Sequence, residues 1–393
     1  MGRSSAKRAF KYRFYPTDAQ AAELARTFGC VRLIYNKALA IRAAAWSDEQ
    51  RNISYRDTSS MLTSWKKSEE LAFLGEVSSV PLQQSLRNLQ GAFASFFAKR
   101  ARYPRFKSKK KSRAAAEYTR SAFRWHDGRL ILAKMSEPLA IVWSRPLPAG
   151  TMPSTVRVSR DRAGRWFVSV LVDAVVDHHA PVSAAVGVDA GVTALMTLST
   201  GEKIANPRHE ARERVRLARV QRLLARKQKG SANREKVRRK IARVHARIAD
   251  RRSDHLHKLT TRLVRENQTI VIEDLHVRGM LRNRRLARAI ADASWSQMRR
   301  MLEYKAAWYG RQVIVIDRWF PSSKTCSKCG LLADAISLGV REWRCPCGAV
   351  HDRDVNAAKN VLAAGLAVAA CGDGVRPTRR ELARHLSEPP YRG

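Results

Sequence analysis

Four cysteines in two close pairs constrain the fold of this chain more than any other feature of its sequence. They are Cys326, Cys329, Cys345 and Cys347. Thiolates bind Zn²⁺ tetrahedrally, and each close pair can place two sulfurs on one side of the ion. The cluster therefore predicts a zinc-binding knot. Metal-free thiols and disulfides are both disfavoured, because cytosolic chains keep few disulfides and so tight a cluster rarely arises by accident.

The second cysteine pair leaves the ligand set open. Its Cys-x-Cys spacing is tighter than the usual Cys-x-x-Cys, although Pro346 and Gly348 allow a sharp turn there. His351 follows shortly after this pair and could replace one sulfur as a ligand. The other two cysteines, Cys30 and Cys371, lie outside the cluster and are interpreted as plain structural thiols.

The charge of the chain indicates a polyanionic partner. Of its 393 residues, 75 are Lys or Arg and 34 are Asp or Glu, so the formal net charge is +41. Such an excess destabilises a compact free protein by self-repulsion, whereas binding to phosphates releases counterions. A nucleic acid is therefore favoured over a merely basic enzyme. A membrane surface is disfavoured, because the sequence shows no long apolar stretch, signal core or lipidation signal.

In the first half of the chain, helical patterns stand between two regions of strand-like patterns. Residues 7–15 alternate basic and aromatic residues, which predicts a strand, and Thr17 is placed to cap the helix that follows. From 118 to 178 short β-strands are predicted, which would form a small barrel or sandwich with the first strand. Apolar residues at helical spacing predict inserted helices over 20–46, 55–72 and 82–99.

A basic run with aromatic residues follows these helices. From Lys99 to Arg113 the sequence reads KRARYPRFKSKKKSR. A charge run is usually a solvated surface, but the interleaved Tyr103 and Phe106 favour a phosphate-contacting loop about equally. The candidate contacts to a nucleic-acid backbone in this run are Arg105, Lys107, Lys109 and Lys110.

The second half of the chain predicts a mixed α/β domain. Two strands are separated by a turn at Gly191, and Thr200-Gly201 suits a hairpin turn after them. The densely basic region that follows, 207–259, predicts a helical hairpin with two positive faces. Two short apolar strands follow. The helix between them, over 294–309, has Ser294 as its predicted cap.

Three acidic residues stand where a strand ends or a helix begins. Asp189 and Glu273 each end an apolar strand, and Asp354 stands at a helix entrance beside the cysteines. If they converge, three carboxylates can hold two hard cations such as Mg²⁺, and two such ions can activate water for phosphodiester hydrolysis. Taken singly, each acid is more simply a cap or a surface charge. Asp274 and Asp352 are alternatives for positions 273 and 354.

Three segments give the chain a resemblance to a known family. VGVDAGV, IVIEDL and CSKCG…WRCPCGAVHDRDVNAAKN occur in this order. They resemble the three RuvC motifs and the zinc ribbon of TnpB, the RNA-guided nuclease of bacterial insertion sequences, which is similar to the ancestors of type V CRISPR effectors. Further segments, among them RFYPTDAQ and FPSSKTCSKCG, extend the likeness over nearly the whole chain. The Cys-x-Cys pair departs from the family's Cys-x-x-Cys.

The resemblance implies an RNA-guided endonuclease that cuts both strands of double-stranded DNA with a single RuvC site. Asp189, Glu273 and Asp354 would be its catalytic acids and would hold two Mg²⁺ ions, and the four cysteines would hold Zn²⁺. The guide RNA would derive from the transposon end, and the helical lobe would read a short motif beside the target. The candidate readers of this motif are Tyr55, Ser59 and Gln83.

The resemblance also implies an α+β multidomain fold. An RNase H-like RuvC α/β domain would carry a zinc-ribbon insertion, and a wedge-type β-barrel would carry an inserted helical recognition lobe. The predicted segments are the wedge barrel 1–18 and 118–183, the recognition lobe 19–117, the RuvC domain 184–320 and 352–372, the zinc ribbon 321–351, and a disordered tail 373–393.

Two alternatives to this function stay open. A compact type V CRISPR effector would share these features, and only the neighbouring DNA would separate it from a transposon nuclease. A non-cleaving RNA-guided repressor would explain the charge and the zinc, but it would leave the three acids without a role. We expect a monomer in the RNA complex, located in the bacterial cytoplasm and associated with the nucleoid when bound to DNA.

Overall fold

The computed structural model of the protein describes residues 2–370, except 335 and 338. The chain divides into an amino-terminal unit, Ser5–Val175, and a carboxy-terminal unit, which combines the described residues of Met1–Ser4 and Val176–Gly393. This division is coarser than the seven predicted segments, whose boundaries stay a prediction. The predicted disordered tail and Cys371 lie outside the described residues.

Three helices form one part of the amino-terminal unit. They are α1 (Asp18–Glu49), α2 (Tyr55–Lys67) and α3 (Ser79–Phe97). Thr17 caps α1 as predicted: its side chain accepts a hydrogen bond from the backbone N–H of Gln20, whose side chain accepts one from the backbone of Thr17. The apolar stripes of the helices meet in a core that includes Ile34, Leu62 and Leu82.

Seven strands belong to this half of the chain. They are β1 (Arg3–Tyr15), β2 (Ala114–Thr119), β3 (Phe123–His126), β4 (Arg129–Leu132), β5 (Ala140–Val142), β6 (Pro153–Arg160) and β7 (Trp166–Asp177). Five of them form a sheet in the order β2-β6-β7-β1-β5, and β3 and β4 form a hairpin. As predicted, β1 pairs with strands that follow the inserted helices in the sequence, β5 and β7. Among the described strands β2 and β5 end the sheet without pairing to each other, so the closed wedge-type barrel stays a prediction.

A second five-stranded sheet forms the centre of the carboxy-terminal unit. Its strands are β8 (Ala185–Asp189), β9 (Ala194–Leu198), β10 (Lys203–Ala205), β11 (Thr269–Glu273) and β12 (Gln312–Ile316). Their order is β10-β9-β8-β11-β12. β9 runs antiparallel to both β8 and β10, whereas β11 runs parallel to both β8 and β12. Two remaining short strands, β13 (Glu342–Arg344) and β14 (Val350–Asp352), form a separate hairpin.

In the described part of this unit, six helices surround the sheet and its loops. They are α4 (His209–Ala225), α5 (Ala232–Glu266), α6 (Val277–Met280), α7 (Ala287–Ala293), α8 (Trp295–Tyr309) and α9 (Arg353–Ala370). The predicted basic hairpin is confirmed as α4 and α5. The predicted cap at Ser294 was wrong: Ser294 ends α7 in the left-handed conformation, and its hydroxyl donates back to the carbonyl of Ala291. An N-cap needs extended backbone, which this junction of two helices does not have.

The central sheet packs helices on both faces. Ile270 and Ile272 lie in a core with side chains of α5 and α8, whereas Val271 packs on the other face with Val361 of α9. This alternation is the period-two pattern of a strand that is buried on both sides. Gly187 allows α9 to approach, since a Cβ there would lie 2.2 Å from the backbone oxygen of Ala358.

Hydropathy along the helices sets one further limit. Within the part of the chain that the structure describes, no helix has the length and apolar character needed to cross a bilayer.

Candidate functional site

The central sheet brings two of the predicted acids to the same edge. Strands β8 and β11 run parallel, and Ile272 lies opposite Val188 in their register. The next residues, Asp189 and Glu273, therefore leave the sheet side by side at its carboxyl edge. In parallel sheets this edge is where ligands bind.

Helix α9 adds the third acid. It packs on the face of β8 and β11, where the close contact at Gly187 fixes its height over the sheet. Asp354 lies in the first turn of the helix. Three segments that are far apart in sequence thus supply one group of carboxylates.

The electrostatics of Asp189 reflect this grouping. Its burial and the nearby charges of Glu273 and Asp354 raise the pKa of Asp189 to about 7, and Arg353 opposes the rise. Burial also raises the pKa of Glu273, against the effect of a hydrogen bond from Ser322. Mutual repulsion of this kind is relieved when the carboxylates share a cation.

The carboxylates share a region without forming a closed shell of ligand atoms. Among the residues that the structure describes, the four cysteines are the only group of three or more acidic, histidine or cysteine ligands whose atoms all lie within 4.8 Å. A positive side chain, Arg341, lies instead beside Asp354. Its Nη1 is 3.4 Å and 3.5 Å from the two carboxylate oxygens of Asp354. Nothing in the sequence indicated this contact.

The structure separates Asp354 from its alternative, Asp352. The Oδ1 atom of Asp352 accepts hydrogen bonds from the backbone N–H groups of Asp354 and Val355, at 3.1 Å and 3.0 Å. Its other oxygen is paired with Lys203. Asp352 is therefore the capping residue of α9. Its pairing with Lys203 and its backbone hydrogen bonds lower its pKa despite partial burial.

Asp274 is likewise engaged elsewhere. It accepts a hydrogen bond of 2.6 Å from Arg299 and forms a second ion pair with Arg318. The hydrogen bond from Arg299 is the main cause that lowers the pKa of Asp274. Of the five acids considered, the two alternatives are thus held in structural contacts.

A cavity opens beside Glu273. Its volume is about 560 Å³, and its walls include Leu275, Trp295, Arg299 and Arg300. Apolar walls that carry a few convergent charged groups are typical of ligand sites. Glu303 also lines this cavity, and Arg299 is paired with Glu303 and Asp274.

The cysteine cluster matches a tetrahedral metal site. The sulfurs of Cys326 and Cys347 are 3.8 Å apart, and those of Cys329 and Cys345 are 3.6 Å apart. Zn–S bonds of about 2.3 Å at tetrahedral angles place sulfurs about 3.8 Å apart. All four sulfurs lie within 4.8 Å of one another, so the cluster is compatible with zinc.

Two tight turns shape the cluster. Gly330 and Gly348 have positive φ angles of 76° and 84°, a conformation that glycine adopts without steric cost. The turn at Gly348 closes on Cys345 through backbone hydrogen bonds, which is how Cys-x-Cys achieves chelating geometry. A backbone N–H group of Ala349 contributes most to lowering the pKa of Cys347 to about 7.

His351 lies next to the cluster. Its Nε2 atom is 3.0 Å from the sulfur of Cys326. Because the four sulfurs are already mutually placed as a set, this geometry favours a neighbouring hydrogen bond over replacement of a cysteine. Such outer partners orient metal ligands.

The candidate motif readers lie on adjoining helices. Tyr55 and Ser59 are four residues apart on α2, and Gln83 and Arg87 have the same spacing on α3. The Nε atom of Arg87 donates to the Tyr55 hydroxyl at 3.1 Å, so the two faces meet. Gln83 is exposed, and Tyr55 and Ser59 are half-buried. Arg87 was missed by the sequence interpretation, and no motif marks it.

The basic run contains one structural lysine. The backbone of Lys107 exchanges two hydrogen bonds of 2.8 Å with the side chain of Asn36, and its Nζ lies 3.5 Å from the ring centroid of Tyr35. Burial, with the charge of Arg157, lowers the pKa of Lys107 to about 8. The other candidates in the run, Arg105, Lys109 and Lys110, are exposed.

A basic groove lies within the amino-terminal unit, in front of this run. It encloses about 530 Å³ between α1, α3 and the strands β2 and β6. Phe28 and Trp166 form an aromatic part of its wall, with ring centroids 5.9 Å apart. Its positive side chains are Arg32, Lys107, Lys109, Arg113, Arg157 and Arg160.

Comparison with protein families defines the class. A model described as "Probable transposase", of the OrfB type of IS605, matches residues 167–284. A model described as "Cas12f1-like, TNB domain" matches 295–361, which includes the cysteine cluster. A "Helix-turn-helix domain" model matches 1–51, where the structure has strand β1 followed by the single long helix α1.

Similar whole proteins define the family. The chain is 70% identical over 373 residues to a Streptomyces pristinaespiralis protein named "Putative RNA-guided DNA endonuclease", covering 95% of this chain and 93% of the relative. It is 36% identical over 404 residues to InsQ of Escherichia coli K12, which has the same description, covering 95% and 96%. The chain belongs to the TnpB family of insertion-sequence proteins, and the resemblance predicted from its motifs is confirmed.

A solved structure supports the fold. A cryo-EM structure of a Cas12f1–sgRNA–target DNA complex contains a chain that matches with a TM-score of 0.57. The match covers 91% of this chain and 98% of the other, at 14% identity. At that identity the likeness concerns the mixed α and β architecture alone.

Proposed function

We propose that this protein is an RNA-guided DNA endonuclease that cuts both strands of its target with one RuvC site. The convergence of Asp189, Glu273 and Asp354 at one end of the central sheet carries the proposal. The name of the relative that is 70% identical over nearly the whole chain supports it. The three acids are all present, and their contacts are fewer than those of Asp274 and Asp352: Glu273 accepts one hydrogen bond from Ser322, and Asp354 lies 3.4 Å from Arg341.

The sheet supports an RNase H-like RuvC domain. Three antiparallel strands are followed by two parallel ones, in the order β10-β9-β8-β11-β12, and helices cover both faces. In this arrangement β8 and β11, the first and fourth strands of the sheet in chain order, lie side by side, and each ends in one acid. The wedge-type barrel with an inserted recognition lobe belongs to the same proposal for the amino-terminal unit.

The donor set fits hard divalent cations. Carboxylate oxygens are the ligands that Mg²⁺ takes from proteins. Burial and, after it, the charges of Glu273 and Asp354 raise the pKa of Asp189 to about 7, and a shared cation would relieve the repulsion among the three carboxylates. Asp189, Glu273 and Asp354 would hold two Mg²⁺ ions, which supply an activated water and stabilisation of the leaving phosphate oxygen.

The side chains around this edge have separate tasks. Glu273 is oriented by the hydroxyl of Ser322, at 2.7 Å. Asp189 must lose its proton before it can act as a ligand, and near pH 7 it does so readily. Arg300 lines the adjoining cavity, where it can attract a phosphodiester backbone.

Zinc has a structural task in this proposal. Cys326, Cys329, Cys345 and Cys347 would hold one Zn²⁺ in a closed tetrahedral site, which contributes to folding and leaves no open position for chemistry. The ion would fix the ribbon that carries β13 and β14 against the start of α9.

Guide RNA and target DNA are the proposed partners. The net charge of +41 matches a heteroduplex that is held through its backbone while base pairing supplies the sequence. Arg105, Lys109 and Lys110 are proposed backbone contacts. Tyr55, Ser59, Gln83 and Arg87 form one surface that is proposed to read the motif beside the target. A single chain in each RNA complex and a cytoplasmic location stay predictions.

The test uses the purified protein with the RNA that co-purifies. After that RNA has been sequenced, we expect linear double-stranded products from DNA that matches it, in the presence of Mg²⁺. Asp189→Ala should bind this DNA without cutting it, and Asp274→Ala should still cut. Intact DNA with the unchanged protein would favour the non-cleaving repressor, and a protein without RNA would overturn the proposal.

A further inference from the structure

The side chain of Ser322 connects the acid edge with the loop before the cysteines. Its hydroxyl donates to Oε1 of Glu273 at 2.7 Å, and Ser322 itself is only 7% exposed. Ser322 follows strand β12 and precedes the first cysteine of the cluster. The carboxylate of Glu273, at the end of β11, is thus held by a residue outside that strand.

Helix α9 holds the loop that carries Ser322. Asn360 is fully buried, and its Nδ2 atom donates to the carbonyl oxygens of Ser322, at 2.8 Å, and Thr325, at 2.6 Å. The Oδ1 atom of Asn360 has no hydrogen-bond partner within the described part of the chain. A buried acceptor without a partner costs about 1–3 kcal/mol. The two donated hydrogen bonds therefore orient the side chain of Asn360, and its Oδ1 atom is left without a hydrogen bond.

One turn earlier, Asn356 holds the same loop at the first cysteine. Its Nδ2 atom donates to the carbonyl of Thr325 at 2.7 Å, and its Oδ1 atom accepts from the backbone N–H of Ser327 at 2.9 Å. Thr325 and Ser327 flank Cys326. Asn356 is 1% exposed, so these bonds are shielded from water.

The same helix carries Asp354 in its first turn. The described hydrogen bonds therefore run without interruption from the peptide groups around Cys326, through Asn356 and Asn360, to Ser322 and Glu273. Each link is a neutral donor on a carbonyl or a carboxylate oxygen, and the three bonds donated by Asn356 and Asn360 are buried. These hydrogen bonds fix the position of Glu273 relative to Cys326, because a shift of any one member would leave a polar group unpaired.

We propose that Ser322 and Asn360 are positioning residues that tie Glu273 to the cysteine cluster, so that the folded ribbon holds one side of the carboxylate site. This inference rests on the proposed function, since it assigns to these residues the support of a divalent-metal ligand. Outer partners of metal ligands change metal affinity by about 10-fold to 100-fold when they are removed.

The main test measures Mn²⁺ binding to the full-length chain freed of nucleic acid, through the electron paramagnetic resonance signal of free Mn²⁺. Subtracting the binding of the same variant with Asp189→Ala isolates the carboxylate site. We expect Ser322→Ala to weaken this binding about 10-fold. Ser322→Thr, which keeps the hydroxyl, should stay within about twofold. Ser323→Ala is the matched control, because Ser323 is not part of the hydrogen-bonded chain.

The outcomes separate this inference from the proposed function. Equal affinities for Ser322→Ala and Ser323→Ala would overturn the positioning role while leaving the nuclease proposal intact. A native chain with no Asp189-dependent binding of Mn²⁺ would overturn both. A tenfold loss that Ser322→Thr restores supports the role of the hydroxyl.

A second measurement tests the link to the cysteines. In the chain depleted of zinc, with the zinc content confirmed by a colorimetric chelator, Ser322→Ala should weaken Mn²⁺ binding by less than about threefold, because its anchor is already loose. Asn360→Ser, which shortens the donor, should reproduce the loss in the zinc-loaded chain. A full tenfold effect of Ser322→Ala without zinc would contradict the tie to the cluster.

Discussion

The cysteine cluster and the carboxylate group reach their geometry by opposite routes. The four sulfurs come from positions at most 21 apart in the chain, and two local turns bring them together. The three acids come from two strands and a helix, and only the sheet register and the packing of α9 unite them. The first site is therefore built by local sequence, and the second by the whole carboxy-terminal unit.

This difference decides where each site is vulnerable. The cysteine cluster depends on its ligands and on glycines with positive φ. The carboxylate group depends on residues that are not acids, such as Gly187 under α9 and Ser322 beside Glu273. The four predictions below test this contrast, in order of decreasing effect.

Removing one acid should have the largest effect. We expect Asp354→Asn to lower the rate of DNA cleavage about 1,000-fold or more, because the loss of a metal ligand removes several kcal/mol of transition-state stabilisation. The neighbouring Asp352 is unsuitable as a control because it caps α9. Asp274→Asn should keep the rate within about threefold. Single-turnover cleavage of guide-matched DNA measures both rates, and equal rates for the two variants would break the assignment.

Filling the gap under α9 should come next. In Gly187→Ala the new Cβ would lie 2.2 Å from the Ala358 oxygen and 2.6 Å from the Leu362 nitrogen. Both are backbone atoms, so the helix must move, and we expect unfolding to become easier by about 3 kcal/mol. Gly91→Ala, in α3 with open space around it, should stabilise the amino-terminal unit slightly. Denaturant unfolding measures both changes, and an unchanged Gly187→Ala protein would contradict the packing of α9.

Loss of zinc should act locally. Cys345→Ser should abolish stoichiometric zinc and speed amide exchange in β13 and β14 about 100-fold, because metal binding supplies folding energy there. Exchange in the amino-terminal unit, for example in β6, should not change. Equal acceleration in both units would mean that the cluster is not a local structure.

The pH dependence of metal binding should be the smallest effect. Asp189 has a pKa of about 7 without metal, because of burial and its acidic neighbours, and it binds cations only when ionised. Below pH 7 protons therefore compete with the metal, and above it they do not. We expect the Mn²⁺ affinity of the native chain to be about tenfold lower at pH 6 than at pH 8. In Asp189→Asn the Mn²⁺ affinity should depend less on pH. An affinity of the native chain that does not change with pH would contradict the raised pKa of Asp189.

The sequence could predict features that depend on local patterns. The cysteine pairs, the cap at Thr17, the basic hairpin and the strand-end positions of Asp189 and Glu273 all follow from spacing and periodicity. Ser294 was misassigned because two helices share that junction, which no local pattern reveals. The order of the strands was not predicted, and the grouping of the acids was predicted through family resemblance and not through periodicity.

Contacts between distant side chains could not be predicted. The residues alone left Asp352 open as an alternative to Asp354, which the family resemblance favoured, and the hydrogen bonds of Asp352 to the start of α9 give the physical distinction. Arg341 pairs with Asp354, and Ser322 pairs with Glu273. In each pair the two residues belong to different elements or loops, so no local pattern predicts the contact. Lys107 was grouped with phosphate contacts, whereas the structure holds it against Tyr35 and Asn36.

The most direct test of the carboxylate site is an anomalous-scattering map of crystals of the full-length chain soaked in Mn²⁺. We expect a peak within about 2.2 Å of carboxylate oxygens from Asp189, Glu273 and Asp354, which would require Arg341 to leave its place beside Asp354. Peaks confined to other parts of the surface, with the three acids apart, would contradict the account.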